Sequence, residues 1–495
     1  MKSMKRILGW VTLLAVVLAM GGLFGKRGLV LTSNFEQSAT TVWYCAGEAV
    51  NEHADPYRVE PLRSCEKRYE PIRKLPWVEP APLPGYALAA FSLMARLPFA
   101  LARTLWFYLL IAAVVVSAIV LARLTRLPVL LVMLCLGMAD GYFNLFYGEL
   151  PPLAVAVLVV AAALGTSQRY VAAALAASIA MIEPHLGLPA CLAMFAWWPG
   201  TRRTFIVTAA GLAALSVAAI GIPANIEYVT AVLPAHAASE IAAQDQYSLS
   251  RLLHILGVAD AVALKAGSAS YLIMTLLGVA LARRIASAIG SDALIVLLPP
   301  ATALLGGPFV HDIQMAAALP AAIILAASTR PPLLLRTFAL VALVFPWHAW
   351  SLANLHGQVG LLEMGAVAAA VLVATRTQPV RIRTCAAVLS VAACVVIGSS
   401  IEAVPRMRVG PPTTIMRAAI SPTDLSSTNW AAFVSRDHAY STPDVRDVLE
   451  KIPLWLGLIA LTSMAAALPW SRRRMDAAFR ESAPLGFAPH LTRGR

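Results

Sequence analysis

Several acids and histidines stand at the ends of long apolar stretches in this chain. Glu149 opens one such stretch, Glu183 and His185 flank Pro184 between two others, and His311 and Asp312 precede another. The polar segment after the first apolar run adds Glu36, in Ser33-Asn34-Phe35-Glu36, and Asp55, in Asp55-Pro56-Tyr57. Trp43, Tyr44 and Tyr57 lie in the same segment, and Arg251 follows Gln246-Tyr247-Ser248-Leu249. A carboxylate can take a proton from an attacking hydroxyl. Histidine or arginine can stabilise charge developing on a leaving oxygen. Ionisable groups near membrane depth are costly and point to function by default, although each of these is also what a solvated helix end looks like. The aromatic residues suit stacking on a sugar, and equally suit loop packing or an interfacial belt.

Composition limits what can surround these groups. Of 495 residues, 59 % are hydrophobic and 13 % charged, against roughly 25 % charged in soluble domains. The formal net charge of +13 does not indicate nucleic acid, because the arginines are dispersed in pairs at the ends of apolar segments. That is the pattern of cytoplasmic loops in membrane proteins. There is no GxxxxGK[ST] phosphate loop, GxGxxG, HExxH or GxSxG, which removes the sites those spacings build. No Asp-x-Asp pair is present to hold the metal of a nucleotide sugar, and no Cys/His spacing points to a metal centre.

The elements that must position the reactive residues follow from hydropathy. A span needs about 20 apolar residues. Fourteen candidates are 7–25, 103–122, 127–146, 150–165, 170–183, 186–198, 204–222, 264–282, 288–306, 313–329, 334–353, 359–375, 385–402 and 452–470. Several are short, as tilted, broken or re-entrant helices would be. The first follows Lys2, Lys5 and Arg6 and ends at Gly25-Lys26-Arg27 without a small-x-small cleavage site, so a retained signal anchor with a cytoplasmic N-terminus is expected. Every short inner connection is then basic: Arg123/Arg126, Arg169, Arg202/Arg203, Arg283/Arg284, Arg330/Arg336, Arg376/Arg381/Arg383 and Arg472/Arg473/Arg474. An error of one span would invert this agreement. Glu149, Glu183, His185, His311 and Asp312 all fall on the extracytoplasmic side.

The expected organisation is a signal-anchor helix over 1–31, a first outer loop over 32–102, a membrane core over 103–402, a second outer loop over 403–451, and a last span with a basic cytoplasmic tail over 452–495. Residues 85–98, interrupted by Arg96 and Pro98, read as a helix in the outer interface. Cys135, Cys191, Cys385 and Cys394 lie in apolar segments, where a thiol is a small hydrophobe. Cys45 and Cys65 share the first outer loop, where a disulfide can form; two free thiols are the alternative.

The order of these motifs resembles glycosyltransferase family 87, the polyprenol-phosphate-dependent mannosyltransferases with a GT-C fold. The resemblance rests on Trp43-Tyr44-Cys45-Ala46-Gly47, on Asp55-Pro56-Tyr57, on the segment from Pro84-Gly85-Tyr86 to Leu101-Ala102-Arg103-Thr104-Leu105-Trp106, and on Gln246-Tyr247-Ser248-Leu249. It covers roughly residues 30–330. In its register the family's catalytic aspartate falls near Ala39, its Gly-Gln is Gly148-Glu149, and its Lys-Pro is Glu183-Pro184. The chain is therefore expected to be a divergent member.

The resemblance implies an all-α, GT-C-like helical bundle in a bacterial inner membrane, with both termini cytoplasmic and its site outside. It implies transfer of mannose or a similar sugar from a polyprenyl-phosphate donor to a glycolipid or glycan, in one inverting displacement, with the lipid-linked sugar as donor and the metal requirement left open. Glu36 is then the first choice for the general base and Asp55 the second. His311 serves the phosphate, with His185 and Arg251 as helpers, and Glu183, Glu149, Trp43, Tyr44 and Tyr57 complete the expected site. A transporter or flippase of lipid-linked sugars, and an inactive scaffold for envelope assembly, are the competing readings. A coupled transporter would place ionisable groups at the bilayer midplane, where Asp140, Lys265 and Glu363 are the candidates.

Overall fold

The structure is a computed structural model and describes residues 38–69, 78–243, 245–345, 347, 357–404, 421–434 and 445–467. The first predicted span, Glu36 and the basic tail lie outside the described residues. The described chain is all-helical, and its extended pairing amounts to two isolated bridges, Arg58 with Leu425 and Gln246 with His311.

Among the described residues, four helical stretches are long and apolar enough to cross a membrane: Phe99–Thr125, Pro199–Glu240, Asp260–Ile289 and Val380–Ala403. Several shorter apolar helices accompany them, including Pro151–Thr166, Tyr170–Ile182, Leu294–Ala303 and Leu333–Val344. Pro151–Thr166 and Tyr170–Ile182 match predicted spans that are themselves short, whereas other predicted spans are interrupted by the backbone. The stretch predicted at 127–146 is a helix over Val129–Leu136, a wider π-type turn over Gly137–Tyr142 and a further helix over Phe143–Tyr147. The long Pro199–Glu240 stretch bends at Gly221, two residues before Pro223. Proline removes a backbone donor and clashes with the preceding turn, so such a break is its usual consequence. Ile206, Val207, Leu215, Val217, Ile222 and Ile226 on this stretch point away from the protein. An exposed apolar face of that extent suits a lipid surrounding.

Two apolar cores are present among the described residues. The larger joins the helices of the body, from Val114 through Leu158, Leu186, Leu297 and Leu325 to Leu458. The smaller lies where α1 (Ser38–Asn51), α2 (Val59–Tyr69) and α3 (Gly85–Met94) meet the start of α4 (Phe99–Thr125). Gly47 lets α1 approach α3, because a Cβ there would lie 2.3 Å from the Phe91 carbonyl oxygen. Cys45 of α1 and Cys65 of α2 form a disulfide across a sequence separation of 20. Closing a loop of about that size is worth about 3 kcal/mol in the chain-entropy account.

Polar contacts segregate to the two ends of the body. Trp106 Nε1 donates to the Gly148 carbonyl at 2.9 Å, Tyr86 Oη to the Met181 carbonyl at 2.9 Å and Tyr271 Oη to the His185 carbonyl at 3.1 Å. These join segments expected outside. At the other end the Arg376 guanidinium donates to the Thr125 carbonyl at 3.2 Å and Arg336 to the Ala326 carbonyl at 3.4 Å, joining segments expected inside. Ser167 and Thr423 are both exposed, in segments expected inside and outside respectively. In a background lacking Cys135, Cys191, Cys385 and Cys394, a cysteine at Thr423 is expected to react with an impermeant thiol reagent on intact cells, and one at Ser167 only after permeabilisation. The reverse labelling would overturn the charge-based topology.

Candidate active site

A cavity of about 1240 Å³ opens among the irregular helix ends on the side of the small core. It exceeds the roughly 300–1,000 Å³ of ordinary small-molecule pockets. Ser38, Ala39 and Trp43 of α1 form one wall, and Glu149, Glu183 and His185 a second. The remaining wall comprises His236, Glu240, Asp245, Lys265 and residues 308–314, with Trp430, Asp447 and Glu450 from the C-terminal segments.

Local backbone chemistry explains how these side chains reach the cavity. Gly148 ends the helix over Phe143–Tyr147 in the left-handed region, at φ 77°. A Cβ there would also stand 2.1 Å from Thr40 Oγ1. Glycine satisfies both demands and turns the chain so that Glu149 faces inward. Pro184 keeps Glu183 out of the helical region (φ −119°, ψ 82°), as a residue before proline prefers. Glu183 Oε1 accepts from Gln314 Nε2 at 2.9 Å and lies 3.1 Å from His185 Nε2. Gln314 Oε1 in turn accepts the His311 backbone N–H at 3.0 Å, so one amide side chain links the Glu183 and His311 walls.

His311 is held by a short pairing of two irregular segments. Tyr247 N–H donates to the Val310 carbonyl at 2.6 Å, Asp312 N–H to the Asp245 carbonyl at 3.1 Å, and Val310 N–H to Gln246 Oε1 at 2.8 Å. The pairing sets Asp245 Oδ2 3.1 Å from His311 Nδ1. Burial opposes a charged imidazole, but Asp245, with Glu240 and Asp312, outweighs it and lifts His311 to about 10. Burial alone would raise Asp245, and the His311 imidazolium beside it brings it below its ordinary value. Burial pushes the Glu149 carboxyl up to about 8, with Glu183 and Glu79 adding to the rise and His311 opposing it. The cavity thus favours the neutral form of Glu149 and the imidazolium form of His311.

Of the residues singled out from sequence, Glu149, Glu183, His185, His311 and Trp43 line this one cavity. Glu36 lies outside the described residues; Ser38, two residues on, lines the cavity. Asp55 does not line it. Its Oδ1 accepts the Tyr57 backbone N–H and its Oδ2 accepts from Arg58 Nε, each at 2.9 Å, while Arg58 also pairs with Glu227. The Asp55-Pro56-Tyr57 motif is therefore a structural corner, with Tyr57 buried, its hydroxyl on the Leu83 carbonyl at 2.7 Å and its ring stacked on Tyr228. Tyr44 packs against Tyr69 and Phe99 and donates to the Leu97 carbonyl at 2.8 Å. Arg251 is fully buried, 3.1 Å from Asp447 Oδ2. Neither Tyr44 nor Arg251 lines the cavity. Conversely, His236, Glu240 and Asp245 line it without having been picked out. The spacing of His236 and Glu240, four residues apart on one helical face, was the available signal.

Comparison of the chain with protein-family models, with curated proteins and with solved structures finds no match.

Asp447 pairs with two buried cations, Arg251 and Lys451. Breaking a buried pair leaves an uncompensated charge and costs about 3–5 kcal/mol. Asp447→Asn is expected to lower the midpoint of thermal unfolding in detergent, and a triple change with Arg251→Met and Lys451→Met to recover most of it. An unchanged midpoint in Asp447→Asn would show that the network carries no stability.

Proposed function

We propose that this protein is an extracytoplasmic membrane glycosyltransferase of GT-C-like architecture, with about fourteen spans and cytoplasmic termini in a bacterial inner membrane. It moves mannose or a similar sugar from a polyprenyl-phosphate donor to a hydroxyl of a glycolipid or glycan. The observation that carries this reading is the single cavity in which Glu149, Glu183, His185 and His311, widely separated in sequence, stand together with an aromatic wall from Trp43. Its volume accommodates a sugar phosphate and part of an acceptor. His311 and the exposed Lys265 supply positive partners for the lipid phosphate, where charge grows as the bond to the anomeric carbon breaks. The acceptor hydroxyl attacks that carbon while a carboxylate takes its proton, and the lipid phosphate leaves. Glu36 remains the proposed base.

A lipid-linked-sugar transporter is the second reading, favoured by Glu363. This carboxylate is fully buried in the Gly357–Ala374 helix, and neither oxygen has a hydrogen-bond partner.

Incubation of purified protein with labelled polyprenyl-phosphate mannose and membrane glycolipids is expected to yield a new glycosidic product. Glu36→Gln should retain donor binding while transfer falls by about 10²-fold or more. His311→Ala should weaken donor binding and transfer together. Full transfer by Glu36→Gln would remove it as the base, and movement of the labelled lipid in vesicles without any product would favour the transporter.

A further inference from the structure

His236 lies in the helix Leu233–Glu240, against the cavity, with its side chain buried. Its Nδ1 has no hydrogen-bond partner, and a buried polar atom left unpaired is costly. The nearest charged oxygen, Glu240 Oε1 one turn on, is 4.0 Å away, too far to satisfy it. His311 completes a group of three whose donor atoms all lie within 4.8 Å of one another. We propose that His236, Glu240 and His311 bind a divalent cation of the zinc class in the wall of the cavity. The inference stands on this geometry alone and does not depend on which substrate the cavity takes.

The donor set decides the kind of ion. Two imidazoles and one carboxylate suit zinc, cobalt or nickel better than magnesium or calcium, which prefer oxygen. Three protein ligands leave a fourth position open, as in reactive rather than structural zinc sites, and here it faces the cavity. Tetrahedral zinc with bonds of about 2.0–2.1 Å places its ligands roughly 3.4 Å apart, so the side chains close inward by about an ångström. The surrounding groups fit this use. Asp245 on His311 Nδ1 directs Nε2 towards the ion, the carboxylate–imidazole support common at zinc sites. Trp430 Nε1 donates to Glu240 Oε1 and fixes that carboxylate. Gln246 Nε2, 3.0 Å from His311 Nε2, gives up that contact while its Oε1 keeps the Val310 N–H, and the proton that His311 carries is released to solvent as the ion binds and takes over the positive charge at this wall.

The test uses full-length protein in detergent, stripped with EDTA, desalted and dialysed against Zn²⁺, with bound metal counted by elemental analysis. One ion per chain is expected. His236→Ala and His311→Ala should each weaken binding by about 100-fold, and Asp245→Asn by about 10–100-fold. Co²⁺ in the unaltered protein should give the visible absorption of a four-coordinate nitrogen–oxygen site, which keeps the test decisive if a variant fails to fold. No stoichiometric ion and no cobalt spectrum would overturn the proposal, as would binding that survives the His236→Ala/His311→Ala double change. The readout is the metal itself, so absence of sugar transfer does not affect it.

Discussion

Residues 245–247 and 310–312 are irregular segments at the mouths of different helices, and their mutual pairing is the contact on which the cavity depends. Two backbone hydrogen bonds and one from the Gln246 side chain join them. Without that pairing Asp245 would not meet His311, and a buried imidazolium beside no carboxylate would be driven to its neutral form. The same contact fixes the start of the turn that carries Gln314 to Glu183. The acids of one wall and the histidine of the other therefore share a single backbone anchor.

This anchor is itself braced by buried charge. Arg251, three residues into the helix that follows Ser248, pairs with Asp447 on the helix Val445–Ala467, and Asp447 pairs again with Lys451. Trp455 Nε1 donates to the Tyr247 carbonyl at 2.9 Å. Apolar contact alone fixes the depth of one helix against another poorly, since one turn of slip costs little between smooth Ala/Leu surfaces. A buried ion pair permits one registration and penalises the rest. The last described helix is in this way tied to the segment that presents Asp245, although some two hundred residues of sequence lie between them.

The helical class was readable because it depends on composition and on the lengths of apolar runs, which are local. The gathering of Glu149, Glu183, His185 and His311 was readable too, because alternating sidedness places every second helix end at one level. Side-chain partners within the outer segments were not. Asp55 has the type and position of a catalytic carboxylate, and only the placement of Arg58 and the Tyr57 backbone reveals it as a turn-former. His236 and Glu240 do not stand out in the sequence because the stretch between the predicted spans 204–222 and 264–282 reads as a connection, whereas it contains a helix that sets them on one face. Span lengths also misled where a helix changes form within an apolar run, as at the π-type turn over Gly137–Tyr142.

The replacement of a family lysine by Glu183 in the proposed reading raises the question of what then balances a lipid phosphate. Glu183 does not face the cavity as a bare anion, because it is engaged by Gln314 and stands beside His185. Positive charge is supplied from the opposite wall instead, by His311 under the influence of Asp245 and by Lys265 on the helix Asp260–Ile289. A phosphate attracted across the cavity in this manner would sit nearer residues 308–312 than the Glu183–Pro184 corner. The acceptor would then approach from the side of α1, where Ser38 and Trp43 line the cavity and the chain leads back towards Glu36. In that reading the cationic partner stands on the wall of His311 and Lys265 instead of at the Glu183–Pro184 corner.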